Sequence, residues 1–189
     1  LDLLQFSNLK TLYFTGDNKL KNIEALINLR DLLMTSTTHQ DLTHLENLRN
    51  LETLRICGGR ITSLKGIEAF RNLERLDLLY CRKLIDVDSI SKLANLKKLH
   101  IEKCVQLANF SFLQGNQTIQ NLFVEKITNL GFISSMSNLE KFSFWNCIDG
   151  NLEPLIHIPC RIYFYPNKRH YSHTLEQINK MRITNGLTS

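Results

Sequence analysis

No stretch of this chain is apolar for more than a few residues, far short of the roughly 20 needed to cross a bilayer. No membrane association is expected. No basic segment followed by an apolar core opens the chain, so no secretory leader is read at its start, which is Leu1 and not Met. Glycine-rich loops ahead of a helix are also lacking. Cys57-Gly58-Gly59 has neither the lysine nor the length of a phosphate-binding loop. His170-x-x-His173 supplies half a metal site at most, with no cysteine or carboxylate pair at ligand spacing beside it. These absences exclude the commonest catalytic frameworks, and neither metal nor cofactor is expected. Charge of one sign does not dominate: 23 Lys and Arg against 18 Asp and Glu give +5, with mean hydropathy of -0.17. Such a balance permits nucleic acid or acidic partners without requiring them.

What the chain does have is repetition. The phrase Asn-Leu-x-x-Leu-x-apolar recurs as Asn8-Leu9…Leu12-Tyr13-Phe14, Asn28-Leu29…Leu32-Leu33-Met34 and Asn50-Leu51…Leu54-Arg55-Ile56. It continues as Asn72-Leu73…Leu76-Asp77-Leu78, Asn95-Leu96…Leu99-His100-Ile101, Thr118-Ile119…Leu122-Phe123-Val124 and Asn138-Leu139…Phe142-Ser143-Phe144, and ends in the degraded copy Arg161-Ile162-Tyr163-Phe164. Equivalent positions 12, 32, 54, 76, 99, 122, 142 and 162 are separated by 20, 22, 22, 23, 23, 20 and 20 residues. A fixed period in this range marks a solenoid. Each repeat opens with period-two alternation, the mark of a short strand, as in Thr11-Leu12-Tyr13-Phe14-Thr15. Each closes with apolar residues about three apart, such as Leu42, Leu45 and Leu48, the spacing of helical or 3₁₀ turns. Neither half buries its apolar face alone, so neighbouring repeats must stack. The expected fold is α/β: a repeat solenoid with a parallel sheet on its concave side and short helices or 3₁₀ turns on its convex side.

The pattern L-x-x-L-x-L-x-x-(N/C)-x-x-L fits Leu73-Leu76-Leu78-Cys81-Leu84 and Leu96-Leu99-Ile101-Cys104-Leu107. It resembles the leucine-rich repeat superfamily, most closely the type of about 22 residues found in phosphatase-regulatory and bacterial internalin-like proteins. The asparagine ladder common in that superfamily is replaced by Asp17, Thr37, Gly59, Cys81, Cys104, Ile127, Cys147 and Asn167. Such loosened repeats are similar to those of cytosolic bacterial proteins. The resemblance implies a leucine-rich repeat domain of about eight repeats over 1–166, followed by a capping segment over 167–189. Thr174-Leu-Glu-Gln177 has capping-box spacing. A helix is predicted over 173–183, laying Leu175, Ile178 and Met181 on Ile162 and Phe164. At the other end, residues 1–8 match the outer half of a repeat without its strand. Either a preceding segment has been removed or the sheet opens on an uncapped edge.

Cys81, Cys104 and Cys147 share one repeat position, which in leucine-rich repeats points into the core and bonds the turn backbone. Neighbouring equivalents would lie about 5 Å apart, so a Cys81–Cys104 bridge is sterically open. Five cysteines, an odd count, fit structural thiols better and point to the cytoplasm. Cys57 is the one thiol expected to face outward, and His100 lies two repeats away, about 10 Å at sheet spacing. That separation disfavours a nucleophile–base pair, and the chain is not read as an enzyme.

Alternation also assigns the exposed face. Tyr13, Leu33, Arg55, Asp77, His100, Phe123, Ser143 and Tyr163 form its central column, flanked by Cys57, Leu79, Glu102, Glu125, Trp145 and Tyr165 on one side. A stripe of Arg75, Lys98, Lys141 and Arg161 runs on the other. Nucleic acid is a poor fit, because Glu102 and Glu125 beside the aromatics would repel phosphate. Arg55, Asp77, Tyr80, His100, Glu102, Phe123, Glu125, Trp145, Tyr163 and Tyr165 are expected to touch a protein partner on the concave face, with the chain itself monomeric. The function this favours is a non-catalytic binding module, such as a bacterial immunity or regulatory protein occluding a toxin-like partner. The alternative is a sensor or substrate-recognition domain of a larger protein or effector whose catalytic part lies elsewhere.

Overall fold

A computed structural model describes residues 1–17 and 19–187, in two compact units, Leu1–Gln106 and Leu107–Ser189. In the first unit the five alternating segments form strands β1 (Thr11–Thr15), β2 (Asp31–Thr35), β3 (Thr53–Cys57), β4 (Arg75–Leu79) and β5 (Lys98–Glu102). They pair in parallel and in chain order, with Leu12, Leu32, Leu54, Leu76 and Leu99 in one row across the sheet. Between strands the chain makes 3₁₀ turns, among them Ile23–Ala25, Thr43–Leu45, Ile67–Ala69 and Asp88–Lys92. From Leu32 to Ile90, the inward row of strand residues and the row supplied by the turns meet in a core with essentially no solvent access. Each such Leu or Ile contributes on the order of 1.5–3 kcal/mol.

Two devices set the repeat spacing. Immediately after each of the five strands the chain enters the left-handed region, at Gly16, Ser36, Gly58, Tyr80 and Lys103, with φ of 55–67°. This turns the amides of Gly16, Ser36, Gly58 and Tyr80 onto Thr35, Cys57, Leu79 and Glu102, the last strand carbonyls of the following repeats, at 2.8–2.9 Å. At the other end of the strand the motif asparagine reaches back to the previous repeat. Asn28 Nδ2 donates to the Ser7 carbonyl, Asn50 to Ile27 and Asn95 to Arg71, at 3.0, 2.8 and 2.7 Å. The missing ladder after the strand is thus matched by one before it. At the former ladder site Asp17 is buried, accepting from the Thr37 hydroxyl and from both the amide (3.0 Å) and hydroxyl (2.6 Å) of Thr38.

The second unit has strands β6 (Asn121–Ile127), β7 (Lys141–Cys147) and β8 (Arg161–Phe164), again parallel and in order, with 3₁₀ turns at Ser111–Leu113, Ile133–Ser135 and Glu153–Ile156. Asn138 repeats the backward bond, to the Gln117 carbonyl at 2.7 Å. Its strand exits differ: β6 and β7 run seven residues, and neither Lys126 nor Asn146 has a positive φ. Phe142, Phe144 and Phe164 stack in the core beneath the sheet. A helix, α1 (Leu175–Thr184), follows with the capping box formed: Thr174 Oγ1 accepts from the Gln177 amide and Gln177 Oε1 accepts from the Thr174 amide. Its buried face departs from expectation. Ile178 is buried and Leu175 half-buried, but Met181 is exposed and Arg182 takes the inward place, donating Nη2 to the Cys160 carbonyl at 2.7 Å. Ile178 and Arg182, four apart, share one helix face, which turns Met181 away. The helix packs on the turn Glu153–Ile156, while Tyr171, ahead of it, sets its ring edge-on to Phe164 and Phe144.

Two outcomes test this packing. Gly59 (φ +93°) would place a Cβ 2.5 Å from the Thr37 backbone, whereas Gly115 (φ +75°) faces open space. Both alanine variants pay about 1 kcal/mol for the left-handed backbone, so urea unfolding should show Gly59→Ala roughly 2 kcal/mol or more below Gly115→Ala. Equal losses would contradict the close approach of neighbouring repeats. Burial opposes ionisation of Asp17, but the bonds from Thr37 and Thr38 together outweigh it and hold its carboxyl at about 2. A depressed carboxyl stabilises the fold above about pH 4 and loses that contribution as pH falls toward 2. The stability difference between wild type and Asp17→Asn, on the order of 1–2 kcal/mol after allowing for solvent screening, should shrink across that window in acid titrations of unfolding.

Candidate protein-binding face

In the first unit most of the expected contact residues are engaged with neighbouring side chains of the sheet. Asp31 accepts the Tyr13 hydroxyl at 2.7 Å and Arg55 Nη2 at 3.1 Å, while the Arg55 guanidinium lies 4.7 Å from the Tyr13 ring centre. Asp77, read from the sequence as partner-facing, is only 5% exposed, because Arg75 folds over it with Nε and Nη2 bonds of 3.0 and 2.8 Å. That fork raises the Arg75 pKa. His100 Nε2 lies 3.1 Å from Glu102 Oε2. Arg30–Glu52 and Lys97–Glu74 join other neighbouring repeats. Tyr80 stands outward, 47% exposed on its left-handed turn.

The second unit presents aromatics. Parallel register aligns Phe123, Ser143 and Tyr163 across β6, β7 and β8. Ser143 is small, so a depression forms between the two rings, a groove of about 220 Å³ that Trp145, Tyr165 and Leu175 help to line. Phe123 and Trp145 meet edge to face at 5.4 Å. Lys141 Nζ lies 5.1 Å from the Tyr163 ring centre. Trp145, Tyr163 and Tyr165 are 39, 50 and 80% exposed. On the far side of Trp145 a second cleft of about 550 Å³ lies among Glu125, Lys126, Asn146, Tyr165, Pro166 and Lys168. Alternation breaks there: Glu125 and Lys126, like Trp145 and Asn146, are successive residues that both escape the core.

No family model matches the sequence, and no curated protein matches it. Solved structures do match in shape. Internalin C2 from Listeria monocytogenes superposes with a TM-score of 0.66 at 20% identity, over 86% of this chain and 76% of that one. Internalin InlF from the same organism gives 0.53 at 14% identity, over 90% and 67%. This chain has the leucine-rich repeat fold. At these identities the likeness speaks to fold alone.

The leucine-rich repeat core accounts for the thiols. All five cysteines are free, four of them buried and Cys57 half-buried. Cys81 Sγ donates to the Ile56 and Leu79 carbonyls, and Cys104 Sγ to those of Leu78 and Glu102, at 3.4–3.6 Å. Their mutual hydrogen bond and burial push the Cys81 thiol far up. Burial, then the neighbouring Asp149, pushes Cys147 up to about 12, and burial pushes Cys160 up to about 11. His170 and His173 do not converge on a common point: His170 Nε2 lies 3.0 Å from the Cys147 carbonyl and His173 Nε2 3.7 Å from Glu153. Among the described residues no group of three or more His, Cys, Asp or Glu is arranged to hold a metal ion, and no helix is long and apolar enough to cross a membrane.

Sequence reasoning missed Asn146, Lys126 and Lys168 as lining residues. Lys126 and Asn146 stand one residue before the inward ladder positions Ile127 and Cys147, the place that Tyr80 holds after β4. Tyr171, whose hydroxyl lies 3.1 Å from the Cys147 amide and 3.3 Å from the Trp145 carbonyl, was hidden past the last repeat. Timed alkylation with iodoacetamide, read by mass spectrometry, should modify Cys57 first. Cys147 and Cys160 should lag, because thiolate is the reactive form and each unit of raised pKa cuts it tenfold. A disulfide in the protein handled without reductant would contradict the core placement.

Proposed function

We propose that this chain is a non-catalytic protein-binding module that docks its partner on the sheet face of the second unit. The observation that carries the reading is the set of outward Trp145, Tyr163 and Tyr165 around a groove. Tyr and Trp dominate interface hot spots, where rigid rings fill pockets at low entropic cost. The first unit supports the same choice by contrast, since the outward charged side chains of its strands, Lys98 apart, are matched within the sheet. Within this reading the chain is a monomeric cytoplasmic protein of the immunity or regulatory kind, occluding a cognate protein such as a toxin. The free thiols support a reducing compartment.

A tagged chain used as bait in cytosol of the source organism tests the proposal. Trp145→Ala and Tyr163→Ala should each weaken capture of the retained protein by about 2 kcal/mol, roughly thirtyfold, with the fold intact. Thr15→Ala, on β1, should change it by less than about 0.5 kcal/mol. Undiminished capture by both aromatic variants would contradict the second-unit site.

A further inference from the structure

The cleft beside Trp145 has a chemistry of its own. Lys126 and Lys168 both line it, and neither is in an ion pair among the described residues. In the first unit, by contrast, Arg30, Arg55, Arg75 and Lys97 each have a carboxylate within 3.1 Å. Glu125 lines the cleft too, so two cations face one carboxylate. Asn146, paired in register with Lys126, lines the cleft as well. Trp145 and Tyr165 supply aromatic walls, and Tyr165 is the most exposed large hydrophobic side chain among the described residues of the unit.

We propose that this cleft holds an acidic, aromatic-bearing segment of the protein partner, with its carboxylates on Lys126 and Lys168. A ring of the segment packs against Trp145 and Tyr165. The proposal rests on the protein-binding reading above and names the partner's chemistry. A nucleic-acid strand meets the same lysines and rings, but its phosphates recur at every nucleotide and would be brought against Glu125. A peptide presents an N–H there instead.

Trp145 is the only tryptophan, so its emission reports binding at the cleft directly. The probes are a capped peptide of alternating Asp/Glu and Phe, its Lys/Phe counterpart, and a short oligothymidylate. Saturable change should come with the acidic peptide, at least tenfold tighter than with either other probe, and weaken as salt rises. Lys126→Glu combined with Lys168→Glu should weaken the acidic peptide at least tenfold. The milder Lys126→Gln with Lys168→Gln should fall between, each variant first checked by circular dichroism. Equal binding of acidic and basic peptides, tighter binding of oligothymidylate, or indifference to both double variants overturns the proposal. If that happens while Trp145→Ala still weakens capture of the cytosolic partner, the acidic chemistry alone fails. If Trp145→Ala and Tyr163→Ala both leave capture unchanged, the underlying second-unit reading fails.

Discussion

Everything in this molecule depends on burying one apolar row of strand residues against one row from the turns, repeat upon repeat. A strand of five residues and a 3₁₀ turn each have only one apolar side, so neither is stable until a neighbour covers it. The parallel register that stacks Leu32 on Leu54 and Leu76 also fixes the outward side chains into columns, one strand spacing apart. What the protein can recognise is therefore written by the outward residues at a geometry the inward ones enforce. The left-handed residue after each strand of the first unit, and the asparagine before β2, β3 and β5, hold that geometry at the two ends.

The two units use the same scheme to different ends. In the first, outward carboxylates and cations fall within reach of one another: Tyr13, Asp31 and Arg55 form one chain of contacts, Arg75 and Asp77 another. Exposed pairs of this kind add little stability, but they leave little unmatched charge on the face. In the second unit the outward columns hold rings around the small Ser143, and the strand exits lack the left-handed turn. At each exit two neighbouring residues stay out of the core, as Leu79 and Tyr80 do in the first unit, and this brings Lys126 and Asn146 beside Trp145.

Much of this was legible in the residues. The period gave the strands and turns, because leucine spacing is set by the covalent chain and burial alone. Alternation correctly placed Trp145, Tyr163 and Tyr165 outward. It misjudged Asp77, since pattern says which way a side chain leaves the strand and nothing about a long neighbour such as Arg75 folding across it. The capping box of α1 was readable from Thr174 and Gln177. The helix's buried face was not, because an arginine with a carbonyl partner at Cys160 replaced the apolar residue expected at Met181. Tyr171 lies outside any period, and its role comes entirely from tertiary contact.

The central claim is that partner recognition belongs to the second unit's sheet face. Hydrogen exchange of the free chain against the chain bound to its captured partner measures this residue segment by residue segment. The account predicts added protection over 121–127, 141–147 and 161–168, with β1 to β3 exchanging as in the free protein. Protection concentrated over β1 to β3, with 141–147 and 161–168 unchanged, would contradict it.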